Sequence, residues 1–278
     1  MQLTLAFFVV CTLCLSALAT SASLIGRIAF GSCSNPRRGD DIWRKIQSFQ
    51  PQHLVLLGDQ IYADRTEHWG YRAPTPAVIE NEYDLLFNQQ SFQDLLQSVD
   101  SFSAVFDDHD FGPNNGDKTY VYRDDSIALF KRYYSNLAKF NSTLPAAEAN
   151  DGVYSSKTIH ISSLTIKIVL LDVRSNKDPA PTNLFSSQQT SGDFLGETQW
   201  AWLESELNDP NVDVFLVGSP IQVLPDDKAL EECWGEFPQT RQRLLNTLVA
   251  LAQRQDVFLL SGDIHSAEVS QVRCRAQG

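Results

Sequence analysis

Titratable side chains follow directly after several apolar runs in this 278-residue chain. The run at residues 54–57 ends in Gly58 and Asp59, and Tyr62 comes three residues later. A buried strand that ends in this way delivers a carboxylate to its tip. The same pattern is also typical of a strand that runs into a capped turn, so one occurrence does not indicate a functional site. A functional site is favoured because titratable groups recur at several strand ends. The groups at such strand ends are Cys33; Asp59 and Tyr62; Asp107, Asp108 and His109; Asp172 and Arg174; and Asp263 and His265.

The chemistry that these groups share is cation binding. Carboxylates crowded together without a cation have raised pKa values, and thiolates, phenolates and imidazoles are further metal donors. The mixture of hard oxygen ligands with tyrosine and cysteine suits a trivalent iron beside a divalent ion more than a tetrahedral zinc.

Each of these residues also has an ordinary structural interpretation. Cys33 is compatible with a small buried hydrophobe, Tyr62 with a core aromatic, and the two histidines with satisfied turn residues. Asp107 and Asp110 are compatible with helix caps. An ordinary structural role for every one of these residues would leave many titratable groups together at one edge of the molecule by coincidence. Because clustered titratable groups mark functional sites, we favour a functional site.

The elements around the first two strand ends predict a βαβ unit. Residues 25–30 are predicted to form a strand, residues 42–49 a helix that begins after Asp40 and Asp41, and the run from Leu54 a second strand. A connection of this length makes the two strands parallel. We therefore expect both strand ends, with their candidate ligands, at one edge of a sheet.

The rest of the chain continues to alternate between helices and strands. We predict a surface loop over residues 65–77, a helix over 81–99, a strand over 102–106 and a helix over 124–140. A second half begins with segments 153–156, 157–161 and 164–173 as a hairpin region and a new strand, followed by a helix around Trp200, a strand over 212–217, a helix over 239–253 and a strand over 257–265. Two stacked sheets with helices outside, in the α/β class, fit this order. Ligands of such sheets bind beyond the carboxyl ends of the strands.

The composition narrows the classes of partner. The chain has 22 Lys and Arg against 34 Asp and Glu, a net charge of −12. An acidic protein with a pI of about 4.8 has no general attraction to nucleic acid or to anionic membranes. We therefore predict neither a specific nucleic-acid partner nor membrane binding by the mature chain.

The N-terminus indicates secretion. Residues 1–19 are almost entirely apolar and end in small residues, which predicts a signal peptide cleaved near Ala19, whereas an uncleaved anchor would need a longer run. A secreted or endomembrane-lumen location follows from this. It leaves three cysteines, of which Cys233 and Cys274 are candidates for a disulfide and Cys33 for a free thiol or metal ligand. The triplet at Asn141 is a glycosylation sequon.

Five motifs, taken in order, resemble those of the PhoD-like alkaline phosphatases and phosphodiesterases, a branch of the calcineurin-like metallophosphoesterases. The motifs are FGSC at 30–33, GDQIY at 58–62, FDDH at 106–109, LDVR at 171–174 and SGDIH at 261–265. The resemblance runs from about residue 25 to 269 and implies a four-layer fold, a two-sheet β-sandwich flanked by helices. Family members usually continue beyond the last motif with further strands, so we expect residues 20–278 to be one such domain that lacks its C-terminal strands.

The resemblance also implies roles for single residues. Cys33, Asp59, Tyr62 and Asp263 would hold a ferric iron, while Asp59, Asp108 and His265 would hold or border calcium; another divalent metal pair is the alternative. His109 would lie near the substrate oxygen, Asn114 with Asn115 close by would bind the phosphoryl group, and Arg174 matches the family's arginine after the Leu-Asp strand end.

The activity implied is hydrolysis of phosphate monoesters and diesters by a metal-activated water, with a small phosphate ester as the partner. Two alternatives stay open. One is a nuclease or a phospholipase-type diesterase that uses the same site, and the other is a truncated, catalytically inactive metal-binding protein. The sequence leaves the oligomeric state open as well.

Overall fold

Two sheets form the centre of the molecule, which a computed structural model describes over residues 26–65, 70–140, 142, 144, 151–180, 192–225 and 232–270. In the first sheet, β1 (Ile28–Gly31), β2 (His53–Leu57) and β3 (Ser101–Val105) lie parallel in that order. Helix α1 (Asp41–Ser48) connects β1 to β2, so the predicted βαβ unit is confirmed. The parallel alignment brings the carboxyl ends of all three strands to one edge.

The predicted helix over residues 81–99 is two helices, α2 (Pro76–Phe87) and α3 (Gln90–Ser98). Between them, the backbone of Gln89 is extended, with φ −71° and ψ 117°. The Gln89 side chain accepts a hydrogen bond from Trp43 Nε1 at 3.0 Å and donates one to the Pro36 carbonyl at 2.8 Å. These bonds to distant residues fix the break, and the helical periodicity of the sequence does not show them.

The loop after β3 folds into a short helix before the next long one. This is α4 (Asp108–Phe111), and α5 (Arg123–Tyr134) follows it. The prediction extended α5 to about Phe140, but after Tyr134 the chain continues in tighter turns, with the Phe140 N–H donating to the Leu137 carbonyl at 3.0 Å. The Phe140 ring still packs in the core, 5.4 Å from the Phe102 ring. The apolar pattern therefore identified core residues correctly but not the end of the helix.

The second sheet has the strand order β4 (Ser155–Ile161), β5 (Leu164–Leu170), β6 (Val214–Ser219) and β7 (Asp256–Ser261). The β4 and β5 strands are antiparallel, which confirms the predicted hairpin, although residues 155–161 form one strand rather than two segments. The remaining pairs are parallel and are connected through α6 (Gly196–Glu206) and α7 (Pro238–Ala252).

Alternate residues of β5 show how the layers stack. Ile166, Ile168 and Leu170 belong to the core shared with the first sheet. Val169 belongs instead to a second core, together with Trp200 of α6 and Leu244 of α7. Since successive strand residues point to opposite faces, the second sheet lies between the first sheet and the α6 and α7 layer. The predicted architecture of two stacked sheets with helices outside is confirmed.

Two glycines allow the two sheets to meet closely at the edge that holds the strand ends. A Cβ on Gly218 would lie 2.7 Å from Leu57 Cδ2. A Cβ on Gly262 would lie 2.6 Å from Ser32 Cβ and 3.0 Å from the Leu57 carbonyl oxygen. The chain just after β7 therefore touches the chain at the ends of β1 and β2, and residues far apart in sequence share one edge.

Some sequence predictions fall outside this part of the chain. The signal segment 1–19, Asn141 of the sequon and Cys274 all lie outside the described residues, and Cys33 and Cys233 are buried thiols. Of the helices in the described ranges, none has the length and apolar character needed to cross a membrane.

Candidate metal centre

The turn after β2 directs Asp59 into the space between the strand ends. Gly58 has φ 88°, and a Cβ there would lie 2.4 Å from Asp107 Cβ, so only glycine fits. The Asp59 and Ile61 N–H groups donate to the two oxygens of Asp110, at 2.5 and 3.0 Å. This anchoring holds the backbone of the turn and leaves the Asp59 side chain available for other contacts.

Candidate ligand atoms from four strand ends converge around Asp59. Three overlapping groups of side chains each place their ligand atoms within 4.8 Å of one another. Asp59 belongs to all three groups, which is the position expected of a ligand that bridges two metal ions. The groups are Cys33, Asp59 and His265; Asp59, Asp108 and His109; and Asp59, Asp107 and Asp263.

The backbone at this edge is strained. Cys33, Asp59, Asp263 and His265 all have positive φ angles, of 62°, 56°, 70° and 52°. Residues other than glycine rarely adopt this region, and such conformations concentrate at functional sites, where the surrounding structure holds them in place. The strain therefore coincides with four of the predicted ligands.

Buried carboxylate oxygens without hydrogen-bond partners show that the site fits cations. Such an oxygen costs free energy unless a donor or a cation satisfies it. A thiol, a phenol and imidazoles at the same place complete a donor set that metal ions bind. Within the described residues, the partnerless oxygens at this edge are Asp59 Oδ1, Asp107 Oδ2, Asp108 Oδ1 and Asp263 Oδ2.

Burial dominates the electrostatics of the cluster. It raises the pKa of the Cys33 thiol to about 12. Burial together with neighbouring acidic groups raises the pKa of Asp59 and of Asp263 well above the usual range. Burial also raises the pKa of Asp107 to about 7, against the opposing effect of Arg174. A bound cation would reverse these shifts, because it favours the ionised form of each ligand.

Tyr62 and His265 meet at one side of the cluster. The Tyr62 hydroxyl lies 2.8 Å from His265 Nε2, and the tyrosine is only 5% exposed. Burial raises the pKa of Tyr62, with the Asp59 carboxylate adding to the effect. The structure thus brings the predicted phenol ligand to the same place as Cys33 and His265.

His109 is oriented by a residue that the sequence analysis did not assign. Its Nδ1 lies 2.7 Å from Asp64 Oδ1, and both side chains are buried. Burial acts to lower the pKa of His109, but the hydrogen bond to Asp64 and the charge of Asp108 outweigh it, so the pKa is raised. Because Asp64 holds Nδ1, Nε2 is the nitrogen left for other partners.

Asn114 is exposed at the rim of the centre, whereas its neighbour is tied to a candidate ligand. The Asn115 N–H donates to Asp108 Oδ2 at 2.6 Å. The Asn114 amide donates to Asn115 Oδ1 at 2.9 Å. Asn114 is therefore linked to the candidate ligand Asp108 through Asn115.

Arg174 is completely buried rather than open to a substrate. Its Nε donates to Asp107 Oδ1 at 2.6 Å, its Nη1 lies 2.5 Å from Glu232 Oε2, and its Nη2 lies 3.8 Å from Asp108 Oδ1. Lys177, also buried, lies 2.9 Å from the other oxygen of Glu232. These contacts are those of a residue that positions the two aspartates, and direct contact with a substrate stays a prediction.

Asp172, which the sequence analysis counted among the strand-end groups, does not join the cluster. Its carboxylate accepts hydrogen bonds from the backbone N–H groups of Val153, Arg174 and Ser175 and from the Ser175 hydroxyl. A carboxylate satisfied in this way holds a turn together and has no need of a cation. Of the five strand ends predicted to contribute to the site, the one at Asp172 was therefore predicted wrongly.

Three acidic residues of this region were not predicted as part of the site. The sequence analysis predicts only a helix-capping role for Asp110. The presence of three aspartates within residues 107–110 was a signal that it belongs to the site. Asp64 lies two residues after Tyr62 and is absent from the set of strand-end groups. Glu232 comes from a loop far along the chain, and no sequence pattern connects it to Arg174.

Comparisons with known proteins identify the family of this chain. The profile of the PhoD-like phosphatase family matches residues 28–277. A solved structure of PhoD is similar with a TM-score of 0.65 and 19% identity, over 88% of this chain and 52% of that one, so the chain spans about half the length of the PhoD structure. A dimetal phosphatase from Danio rerio matches with a TM-score of 0.48 and 13% identity, over 85% of this chain and 80% of that one. A search of the curated proteins found no match. The resemblance to this family is confirmed, and the chain belongs to the PhoD-like phosphatase family.

Proposed function

We propose that this protein hydrolyses phosphate monoesters and diesters at a metal centre built around Asp59. The observation that supports this most directly is the set of buried carboxylate oxygens without hydrogen-bond partners, on Asp59, Asp107, Asp108 and Asp263. A protein retains such a costly arrangement where a ligand compensates for it. The membership in the PhoD-like phosphatase family supports the same class of chemistry.

The proposed ligands divide into two overlapping groups. Cys33, Asp59, Tyr62 and Asp263 would hold a ferric iron, because hard carboxylate and phenolate oxygens beside one thiolate suit a trivalent iron more than a tetrahedral zinc. Asp59, Asp108 and His265 would hold or border a calcium ion. When bound, two such cations polarise phosphoryl oxygens and lower the pKa of a coordinated water.

The proposed work of the neighbouring residues follows from their contacts. His109, oriented through Asp64 and with a raised pKa, would give a proton from Nε2 to the leaving oxygen. Asn114, exposed at the rim, would donate to a phosphoryl oxygen. Arg174 would hold Asp107 in place and add positive charge behind the site.

The first experiment measures metal content and turnover on the same purified, secreted chain. We expect iron and calcium by elemental analysis, hydrolysis of bis(4-nitrophenyl) phosphate, and loss of activity with a chelator. Full metal content without turnover of any ester would favour the inactive metal-binding protein. Turnover only of polynucleotides or phospholipids would favour the alternative diesterases, although the net charge of −12 argues against long nucleic acids.

Tyr62→Phe tests the identity of the iron site. A phenolate on ferric iron gives a visible charge-transfer band, so this variant should lose colour while the chain stays folded. The matched control is Tyr133→Phe, which removes a hydroxyl that bonds to the exposed Asp84 of α2. A Tyr62→Phe protein that keeps the full absorption band would contradict the assignment of iron to this side.

We propose further that the chain is secreted after cleavage near Ala19. The apolar composition of residues 1–19 supports this, and so does the sequon at Asn141. N-terminal sequencing of the exported protein should begin at residue 20. Peptide mapping without reduction should show whether Cys233 and Cys274 are joined. An intracellular protein that keeps residue 1 would contradict the proposal.

A further inference from the structure

Arg65 is a cation beside the proposed metal centre with an unused hydrogen-bond donor. Its Nε is buried and has no hydrogen-bond partner in the part of the chain that the structure describes. Among the residues that the structure describes, no carboxylate forms an ion pair with it, in contrast to Arg174, which contacts Asp107 and Glu232. A buried donor without an acceptor costs free energy, and a guanidinium is satisfied best by an oxyanion. The missing partner of Arg65 is therefore expected to be an anion.

The position of Arg65 puts that anion at the metal centre. The guanidinium carbon lies 4.4 Å from the centre of the Tyr62 ring. The hydroxyl of the same tyrosine is 2.8 Å from His265 Nε2. The Arg65 guanidinium therefore lies over the ring of one candidate ligand, Tyr62, whose hydroxyl contacts a second, His265.

Tyr71 adds an exposed aromatic surface at the same place. It is 55% exposed, and its ring is stacked on His109 at 5.5 Å with an interplanar angle of 19°. Its backbone forms an antiparallel bridge with Arg65, whose guanidinium carbon lies 6.0 Å from the Tyr71 ring. We call these two residues the Arg65–Tyr71 rim.

We propose that the Arg65–Tyr71 rim binds the substrate, with the Arg65 guanidinium on a non-bridging phosphoryl oxygen and the Tyr71 ring against a planar aromatic leaving group. The inference rests on the proposed hydrolysis and names its substrate class as phosphate esters of aromatic alcohols. Charge-assisted guanidinium bonds to phosphate are strong and directional. Aromatic stacking contributes less, and it discriminates between aryl and alkyl groups.

Binding of two inert ligands tests the two halves of the rim separately. Phenylphosphonate and methylphosphonate share the oxyanion and differ in the ring, and calorimetry on the metal-loaded protein gives their dissociation constants. Arg65→Gln should weaken both ligands about 10-fold or more, from the usual strength of hydrogen bonds to charged groups. Tyr71→Leu should weaken phenylphosphonate roughly 3- to 10-fold and leave methylphosphonate unchanged.

The control variants separate these effects from loss of charge or structure. Arg72→Gln removes an exposed positive charge one residue beyond Tyr71 and should bind both ligands as the unmodified protein does. Tyr71→Phe keeps the ring and should keep the preference. If Arg65→Gln does not fold, as judged by thermal unfolding, Arg65→Lys should still show weaker binding of both ligands, because the ammonium lacks the planar fork.

The result that overturns the proposal is distinct from failure of the proposed function. Equal weakening by Arg65→Gln and Arg72→Gln would remove Arg65 from the rim. Equal weakening of both phosphonates by Tyr71→Leu would remove the aromatic preference. If the unmodified protein hydrolyses phenyl phosphate while these binding differences are absent, only the rim is wrong; if it hydrolyses no phosphate ester, the proposed function itself fails.

Discussion

The two ends of strand β2 hold buried polar groups that differ in whether the protein satisfies their hydrogen bonds. At its start, His53 is 1% exposed, and its two ring nitrogens lie 2.7 Å from the Ser101 hydroxyl and 3.2 Å from the Ser103 hydroxyl. Beyond its end, Asp59 is also 1% exposed, but no hydrogen bond from a described residue reaches its Oδ1. Both groups are equally removed from water, and only the first is satisfied by the protein itself.

The charge states of the two groups differ for the same reason. Burial, with Lys157 nearby, lowers the pKa of His53 to about 3, so its ring is neutral at physiological pH. Burial raises the pKa of Asp59, so without a cation its carboxylate resists ionisation. A satisfied buried group supports folding, whereas an unsatisfied one is retained for a ligand. One end of β2 thus supports the fold, and the other supports the proposed function.

The largest effect is expected from Asp59→Asn, at the functional end. Because Asp59 joins all three ligand groups, the substitution should lower kcat/KM by more than the roughly 10- to 100-fold loss that outer partners of metal ligands produce. It should also reduce bound metal without lowering the melting temperature of the metal-free protein. Elemental analysis and calorimetry check these points, with the exposed Asp94→Asn as the control. Full activity of Asp59→Asn would contradict the bridging role.

Asp110→Ala should produce the next effect, which we expect on stability. Asp110 accepts the N–H groups of Asp59, Ile61 and Asp107, which would become buried and unsatisfied. We expect a loss of about 3 kcal/mol in the free energy of unfolding, measured with urea on metal-free protein. Asp110→Asn keeps one acceptor oxygen and should lose less. Equal stability of Asp110→Ala and the unmodified protein would show that the turn holds itself.

Asp64→Asn should lower kcat roughly 10- to 100-fold, by analogy with other carboxylates that orient a histidine. The charge of Asp64 supports the raised pKa of His109. If His109 acts as the acid, activity falls as pH rises through that pKa, so the substitution should move the alkaline limb of the kcat profile to lower pH. Asp84→Asn, at an exposed position on α2, is the control. An unmoved alkaline limb would show that His109 is not the proton donor.

The smallest effect is expected at the other end of β2, as a pH dependence of stability. The pKa of His53 is lower in the folded state than in the unfolded chain, so below about pH 6.5 the unfolded state binds more protons. Stability should fall as pH falls, by about 1.4 kcal/mol per pH unit from this group until about pH 3.

Urea unfolding of metal-free protein between pH 7 and pH 4 measures this slope. His53→Gln should flatten it, because the amide does not titrate. His160→Gln, at an exposed position on β4, is the control. A slope that His53→Gln does not change would place the acid sensitivity elsewhere.

Similar sequence patterns had different outcomes once the chain was folded. Asp59 and Asp172 both follow an apolar strand, and nothing in the local sequence separates them. In the structure, Ser175 and three backbone N–H groups satisfy Asp172, whereas Asp59 is left with a free oxygen. The number of donors that reach a carboxylate depends on the path of the chain around it, which a strand pattern does not contain.

The arginines show the same limit. Arg174 matched a family motif and Arg65 matched none, yet Arg174 forms ion pairs with Asp107 and Glu232, whereas Arg65 forms none with any residue that the structure describes. Glu232 lies far from both in sequence, so only the folded chain shows which guanidinium is already neutralised.

By itself, the sequence determined the two-sheet α/β architecture and the edge at which the candidate ligands meet. Apolar runs that end in Gly-Asp, and parallel connections that align strand ends, are local consequences of periodicity and chain length. The tertiary structure decided the breaks and ends of the helices, the role of Asp110 in shaping the turn at Asp59, and the difference between satisfied and unsatisfied charges. Those features depend on contacts between residues that are distant in sequence. Such contacts contribute free energy only when the two sheets pack together.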